Sequence, residues 1–109
     1  MDKLSKEHET LMLTILKLKE NAYGVAIRQK IEEITSRMVG YGTLYSALDQ
    51  LVKKEYIVKI TGEPTNKQGG RRKYFYQLTK IGVEALRQAR KERDLLWHDV
   101  DEKLLDTIR

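Results

Sequence analysis

The hydrophobic and polar positions divide the chain into three helices, two short strands and a long final helix. The first three helices are predicted over about Ser5–Lys19, Tyr23–Ile34 and Thr43–Lys54. The first is apolar around nearly its whole circumference, which is typical of a helix with neighbours on more than one side. We expect one of those neighbours to be a second copy of the chain, and we place Leu11 and Ile15 at that contact.

The third helix separates its apolar and polar side chains more sharply than the first. Apolar residues recur every three or four positions along it, so one face is predicted to lie in the core. At about 100° per residue, the opposite face is short and polar and carries a cation near its end. Its members are Gly42, Thr43, Ser46, Asp49, Gln50 and Lys53, with Tyr45 on its flank.

The strands are predicted over about Tyr56–Thr61 and Lys73–Leu78, where β-branched or alternating aromatic residues prevail. The segment between them, from Gly62 to Gly70, has the glycine, proline and asparagine typical of a hairpin loop. Three cations follow it directly: Arg71, Arg72 and Lys73. The pattern predicts a hairpin with a positively charged end.

The charge is concentrated in the same part of the chain. Between Tyr41 and Lys80, eight cations stand against three anions, which accounts for the whole formal net charge of +5. A localised excess of positive charge is typical of a surface that contacts nucleic acid. The alternative is an ordinary solvated basic loop, and we favour DNA contact because the cations follow two glycines and a helix pair.

The last helix is predicted from Lys80 to Ile108, with Thr79 as its N-cap. Its middle, from Arg87 to Asp94, is almost wholly polar. The apolar residues of its end are Leu96, Trp97, Val100, Leu104 and Ile108. Because the polar middle carries this end away from the domain, we expect it to pack against a second subunit rather than bend back. The predicted domains are therefore residues 1–80, which bind DNA, and 81–109, which dimerise.

Composition excludes several classes of function. The 109 residues suit one domain, and they include no cysteine and two isolated histidines. No convergent acid, base or nucleophile set, phosphate loop or metal-ligand spacing is evident, so we predict no enzyme activity, cofactor or metal. No apolar run approaches the ~18 residues of a membrane span, and no secretion signal precedes the first helix. We expect a cytoplasmic protein without a membrane partner.

Together these elements predict a mainly α-helical winged helix-turn-helix with a small β-hairpin. In this motif the second helix of the pair enters the major groove of DNA. Thr43, Ser46 and Gln50 are then able to reach base edges, and Lys53 a phosphate. The backbone N–H groups at the start of the helix also favour a phosphate.

Two motifs give the chain a family resemblance. GTLYSALDQL (residues 42–51) and GGRRKYFYQLTKIG (residues 69–82) closely resemble the PadR family of bacterial transcriptional regulators, and Tyr23-Gly24 at the start of the second helix matches as well. The resemblance implies a homodimeric repressor that binds a palindromic operator and dimerises through its last helix. Ser46 and Glu55 depart from it, since many members have proline and glycine at these places. Without that glycine, the third helix needs another cap or a strained residue at its end.

The DNA-contacting residues predicted from the motif and the resemblance are Tyr23, Tyr41, Gly42, Thr43, Tyr45, Ser46, Gln50, Lys53, Gly70, Arg71, Arg72 and Lys73. Tyr45 has an alternative place against the second helix, and Asp49 is assigned no role. Trp97 is expected in the dimer core. A second hypothesis, implied by the resemblance to compact multidrug-responsive members, is that Trp97 stacks on a planar aromatic effector that releases the DNA. The alternatives to operator binding are an RNA-binding module and a protein-interaction module on the same fold.

Overall fold

The computed structural model describes residues 3–62 and 73–108, and within them it is mainly helical with one antiparallel hairpin. The elements are α1 (Lys6–Leu18), a 3₁₀ turn (Lys19–Asn21), α2 (Gly24–Thr35), α3 (Tyr41–Lys53), β1 (Ile57–Thr61), β2 (Tyr74–Leu78), α4 (Lys80–Trp97) and α5 (Glu102–Leu105). The predicted fold class, a winged helix-turn-helix with a small hairpin, is confirmed. The third helix begins two residues before its predicted start at Thr43.

One hydrophobic core holds the first three helices, the hairpin and the start of α4 together. Its most deeply buried side chains are Met12, Ile27, Leu44, Leu48, Leu51 and Ile57. The tip of the Tyr45 side chain on α3 packs against the backbone where α2 begins, and a Cβ at Gly24 would overlap its hydroxyl group. Glycine at this position therefore leaves room for the ring of Tyr45 between the two helices.

The hairpin is attached to the segment that leads into α2. Its strands pair from Ile57 opposite Leu78 to Thr61 opposite Tyr74. The N–H of Tyr76 donates to the carbonyl oxygen of Ala22 at 2.9 Å, and Tyr23 forms an isolated antiparallel bridge with Phe75. These contacts fix the base of the hairpin relative to the helix pair.

The end of α3 shows how this helix terminates without glycine. Glu55 adopts the left-handed conformation with φ 64°, and the N–H of Tyr56 donates to the carbonyl oxygen of Leu51 at 3.0 Å. This bond is the one that closes a Schellman motif, where glycine is usual. The hydroxyl of Thr79, the N-cap of α4, donates to the carbonyl oxygen of Glu55 at 2.6 Å. The strained residue expected at this place is therefore Glu55. Its backbone is held by the hydrogen bond from Thr79 at the start of α4.

The prediction of one continuous helix from Lys80 to Ile108 is wrong. The fourth helix ends at Trp97, Asp99 takes a left-handed conformation with φ 64°, and α5 begins after Asp101. The carboxylate of Asp101 accepts from the N–H of Leu104 at 2.9 Å and caps α5. Aspartate side chains bond to nearby backbone groups in this way, so aspartate favours helix caps over helix interiors. Asp99 and Asp101 therefore interrupt the helix, although the apolar residues on both sides have helical spacing.

Candidate nucleic-acid interface

The face of α3 opposite the core is open to solvent. All of its predicted members, from Tyr41 to Lys53, are exposed. Leu44, Leu48 and Leu51 on the other side are buried. The cap of the helix, Gly40, has no side chain to accept from the first N–H groups. These donors thus face outward at the positive end of the helix dipole.

One flank of this face borders the first turn of α1. An open depression lies between the two helices, with His8 on one wall and Thr43, Ser46 and Gln50 on the other. His8 Nε2 is 3.0 Å from Gln50 Oε1. The link between His8 and α3 could not be found from the sequence, because 42 residues separate the two side chains.

The other flank borders α2. The rings of Tyr41 and Tyr45 stack at 6.3 Å with 19° between their planes. The guanidinium of Arg28 lies 4.4 Å above the Tyr41 ring, and its Nε donates to the carbonyl oxygen of Val39 at 2.6 Å. Arg28 thus connects α2 to the turn before α3. Arg28 is absent from the predicted contacts, although its spacing of one turn from Gly24 indicates the face of α2 that meets α3.

Tyr45 was expected either on the DNA-facing side of α3 or against α2, and it has features of both. Its hydroxyl lies against Gly24, so part of the ring packs on α2. The residue nevertheless remains exposed beside Tyr41. Burial raises the pKa of the neighbouring Tyr76 phenol, and the proximity of Tyr45 and Asp49 adds to that rise. Tyr76 is therefore neutral at physiological pH.

The base of the hairpin brings further aromatic and cationic groups to the same side as α2. Tyr23 meets Phe75 edge-on at 5.7 Å, and Lys73 Nζ lies 4.3 Å above the Tyr23 ring. Lys59 Nζ lies 4.2 Å above the Tyr74 ring. Of the predicted hairpin contacts, Lys73 is placed here, while Gly70, Arg71 and Arg72 fall outside the described residues.

The predicted dimer residues divide into two groups. Leu11 and Ile15 are 4% and 2% exposed and belong to the core of their own chain, which corrects their placement at an interface. Leu13 and Leu16 are the exposed leucines of α1. Leu96, Trp97, Leu104 and Ile108 are exposed, and Val100 is half-buried. The break after Trp97 places the last three of the five C-terminal residues beyond α4.

Neither a metal site nor a membrane span is present in the part of the chain that the structure describes. Residues 3–62 and 73–108 contain no group of three or more side chains suited to hold a metal ion. No helix in the same residues has both the length and the apolarity to cross a membrane.

Comparisons with known proteins agree on one family. The model of the transcriptional regulator PadR-like family matches residues 12–88. A search of curated proteins found no match. Among solved structures, a Streptococcus mutans UA159 protein is 31% identical, with 94% of this chain and 90% of that chain covered and a TM-score of 0.67. A transcriptional regulator from Clostridium thermocellum is 27% identical, with 92% and 90% covered and a TM-score of 0.66. A PadR family transcription regulator from Clostridium difficile R20291 is 30% identical, with 94% and 98% covered and a TM-score of 0.61.

Proposed function

Because the chain belongs to the PadR-like family of transcriptional regulators, we propose that it is a homodimeric cytoplasmic repressor that binds a palindromic operator in double-stranded DNA. Membership of this family makes it a regulator of transcription and not an enzyme. The observation that carries the proposal is the exposed polar face of α3, which Arg28 of α2 borders. Lys73 of the hairpin lies over the ring of Tyr23, directly before α2. A polar helix face beside fixed cations suits the major groove and its phosphates.

Base edges and phosphates are assigned to different parts of this face. Thr43, Ser46 and Gln50 contact base edges because they are small or planar hydrogen-bonding side chains near the start and middle of α3. The N–H groups at the start of α3 and the side chains of Tyr41 and Lys53 contact phosphates. The guanidinium of Arg28 uses its Nε to bind Val39, and its terminal nitrogens contact phosphate next to Tyr41.

The hairpin adds a second DNA contact. Lys73, the residue before β2, lies over the ring of Tyr23, and the exposed Lys59 of β1 lies over the ring of Tyr74. With the cations Arg71 and Arg72 that precede it in sequence, Lys73 binds the minor groove next to the groove that α3 occupies. This contact contributes affinity for any duplex and little base preference.

The exposed apolar residues at the C-terminal end support the dimer. Leu96 and Ile108 are each 79% exposed, and Trp97 is 55% exposed. Several large apolar side chains this exposed near one end of a chain are typical of an interface. In the proposal they pack against the same surface of a second copy, so that two α3 helices face one palindrome.

The decisive experiment combines footprinting with sedimentation. A homodimer should protect a palindromic site in a promoter fragment, most simply the one next to its own gene, and should sediment as two subunits. A duplex fragment should compete for binding better than single-stranded RNA of the same length. Sedimentation as a single subunit, or RNA as the better competitor, would contradict the proposal and favour an RNA-binding module.

A charge-matched pair of variants tests the hairpin contact. Replacing Arg71, Arg72 and Lys73 with alanine should weaken binding to every duplex and flatten the slope of log affinity against log salt by about 0.9 for each phosphate that is no longer neutralised. Replacing Arg87, Arg90 and Lys91 on the exposed polar middle of α4 removes the same charge and should leave the slope unchanged. Equal slopes in the two variants would exclude the hairpin from the DNA contact.

Trp97 provides a test of the effector hypothesis. Since its indole is exposed in one chain, a planar aromatic compound that stacks on it should quench its fluorescence and lower operator affinity. The chain has one tryptophan, so the signal is assigned without a second fluorophore of that kind. A broad panel of planar compounds that leaves the fluorescence unchanged would exclude this role.

A further inference from the structure

We propose that His8 on α1 is a positioning residue that fixes the amide of Gln50 as a hydrogen-bond donor toward DNA. The inference rests on the proposed function, since it requires a base pair in front of α3. The contact that carries it joins His8 Nε2 to Gln50 Oε1 at 3.0 Å. Gln50 lines the open depression beside α1 together with Thr43 and Ser46, the other two predicted base-contacting residues.

The surroundings of the imidazole decide which of its nitrogens carries the proton. Nδ1 of His8 is buried and has no hydrogen-bond partner among the described residues. A hydrogen on Nδ1 would be a buried donor without an acceptor, which costs more than an unpaired lone pair. The proton therefore belongs on Nε2, and Nε2–H donates to Oε1 of Gln50. The oxygen end of the amide faces His8 as a consequence.

The first turn of α1 holds His8 in place from both sides. The hydroxyl of Ser5 accepts from the backbone N–H of His8 at 3.1 Å and caps the helix. The next residue, Glu9, forms an ion pair with Arg93 of α4, with Nη1 2.7 Å from Oε1 and only 14% of the Glu9 side chain exposed. The imidazole is thus mounted on a turn that both its own cap and α4 restrain.

A restrained amide has fewer ways to meet a base than a free one. A freely rotating glutamine can exchange the positions of its oxygen and its NH₂ group, so it donates to the acceptors of adenine, guanine or thymine and accepts from the amines of adenine and cytosine. With its oxygen held by His8, Gln50 presents its NH₂ group. In the major groove cytosine offers only a donor, so the wild-type protein should reject cytosine at the base that Gln50 contacts.

The test is selection from a randomised duplex library, followed by sequencing, with the full-length wild-type protein and single variants. Gln50→Ala identifies the base position, because the preference there should be lost. His8→Phe keeps a ring of similar size but has no N–H, and it should raise the relative selection of cytosine at that position about fivefold or more. His8→Ala should do the same, so the conclusion does not depend on how one variant packs.

The matched control is His98→Phe, the same exchange at the exposed histidine beyond α4. This variant should select the wild-type sequence at every position, and His8→Phe should differ from it at the Gln50 position alone. An unchanged cytosine fraction in both His8 variants would overturn this inference while operator binding stands. A Gln50→Ala variant that selects like the wild type would overturn it as well. A wild-type protein that enriches no sequence would overturn both the inference and the proposed function.

Discussion

Helix α3 and the C-terminal end of the chain are both amphipathic, but their apolar sides have different surroundings. Leu44, Leu48 and Leu51 of α3 are almost completely covered by their own chain. Leu96 and Ile108, at the C-terminal end, are each 79% exposed. The free energy of burying the apolar side is thus already gained within one chain for α3, whereas the C-terminal end can gain it only from further contacts.

This difference separates two roles that a hydrophobic pattern alone does not distinguish. A helix whose apolar side is already buried has a polar side free for a ligand, which is the role proposed for α3 with DNA. A helix whose apolar side remains exposed can itself form a contact, which is the role proposed for the C-terminal end with a second subunit. The predictions below test this assignment in order of expected effect.

The largest effect should follow a charge placed on the exposed apolar end. Leu96→Glu should yield a monomer and lower operator affinity by about 100-fold or more. In a dimer, binding of one subunit raises the effective concentration of the other at the second half-site, and a monomer lacks this gain. Sedimentation and a shift assay measure the two quantities. Gln88→Glu adds the same charge to the polar part of α4 and should remain a dimer with unchanged affinity. If both variants dimerise, the exposed cluster is not the interface.

A smaller effect, on stability, should follow a change at the contact of α2 with α3. Gly24→Ala introduces a Cβ that overlaps the Tyr45 hydroxyl. Because this group is the tip of an exposed side chain that is able to turn aside, the cost should be about 1 kcal/mol of the free energy of unfolding, at the low end for overpacking. Urea unfolding at one fixed protein concentration measures it, since dimerisation adds to apparent stability.

Two further variants make that measurement specific. In a Tyr45→Ala background the same Gly24→Ala change should cost much less, because the overlapping ring is gone. Gly42→Ala on the exposed face of α3 meets no atom within 4 Å and should stabilise the helix by about 0.5–1 kcal/mol. A destabilisation by Gly24→Ala that persists without Tyr45 would mean that a group other than the Tyr45 ring conflicts with the added methyl group.

The sequence predicted the helix-turn-helix and hairpin because their signals are local. The apolar spacing of α3 and the turn residues around Gly62 each lie within a few positions. Leu11 and Ile15 were misplaced because the first helix is apolar on almost every side, and spacing does not say which side its own chain covers. The break at Asp99 was missed because apolar spacing was weighed above the capping preference of aspartate. The contact of His8 with Gln50 joins side chains that are 42 positions apart, so it leaves no local pattern. The place of Arg28 does have a local signal, since Arg28 lies one helical turn after Gly24 on the face of α2 that meets α3.

A change at Arg28 should lower operator affinity by about the free energy of one hydrogen bond. Arg28→Lys keeps the positive charge but removes the Nε–H that donates to the carbonyl oxygen of Val39. Operator affinity should fall about fivefold, in line with a net loss of about 1 kcal/mol. Its salt dependence should stay close to that of the wild type, because the number of cations is unchanged. Arg87→Lys on α4 is the control and should bind as the wild type does. An affinity equal to that of the wild type would mean that the bond from Arg28 to Val39 does not support DNA binding.

The smallest effects should come from the residues with positive φ that end α3 and α4. Both Glu55 and Asp99 have φ 64°. For glutamate this conformation costs about 1–2 kcal/mol, which a change to glycine would remove. Glycine also gives the unfolded chain more conformational entropy, and this lowers the gain in folding stability by about 0.5–1 kcal/mol. Glu55→Gly should therefore stabilise the protein by about 0.5–1 kcal/mol against urea. It should leave operator selection unchanged, because Glu55 lies past the end of α3.

Asp99→Gly is the matched exchange at the C-terminal end. It should change the stability against urea less than Glu55→Gly does. Aspartate tolerates the left-handed region because its short side chain can hydrogen-bond locally, so replacing it relieves less strain while glycine still adds entropy to the unfolded chain. We expect a change within about 0.5 kcal/mol of zero for Asp99→Gly. An equal gain at both positions would show that left-handed strain is the same at the two helix ends. The bond from Thr79 to the carbonyl oxygen of Glu55 would then not help to hold Glu55 in its strained conformation. A gain at Glu55 alone would instead agree with α4 holding the end of α3 in a conformation that glutamate by itself disfavours.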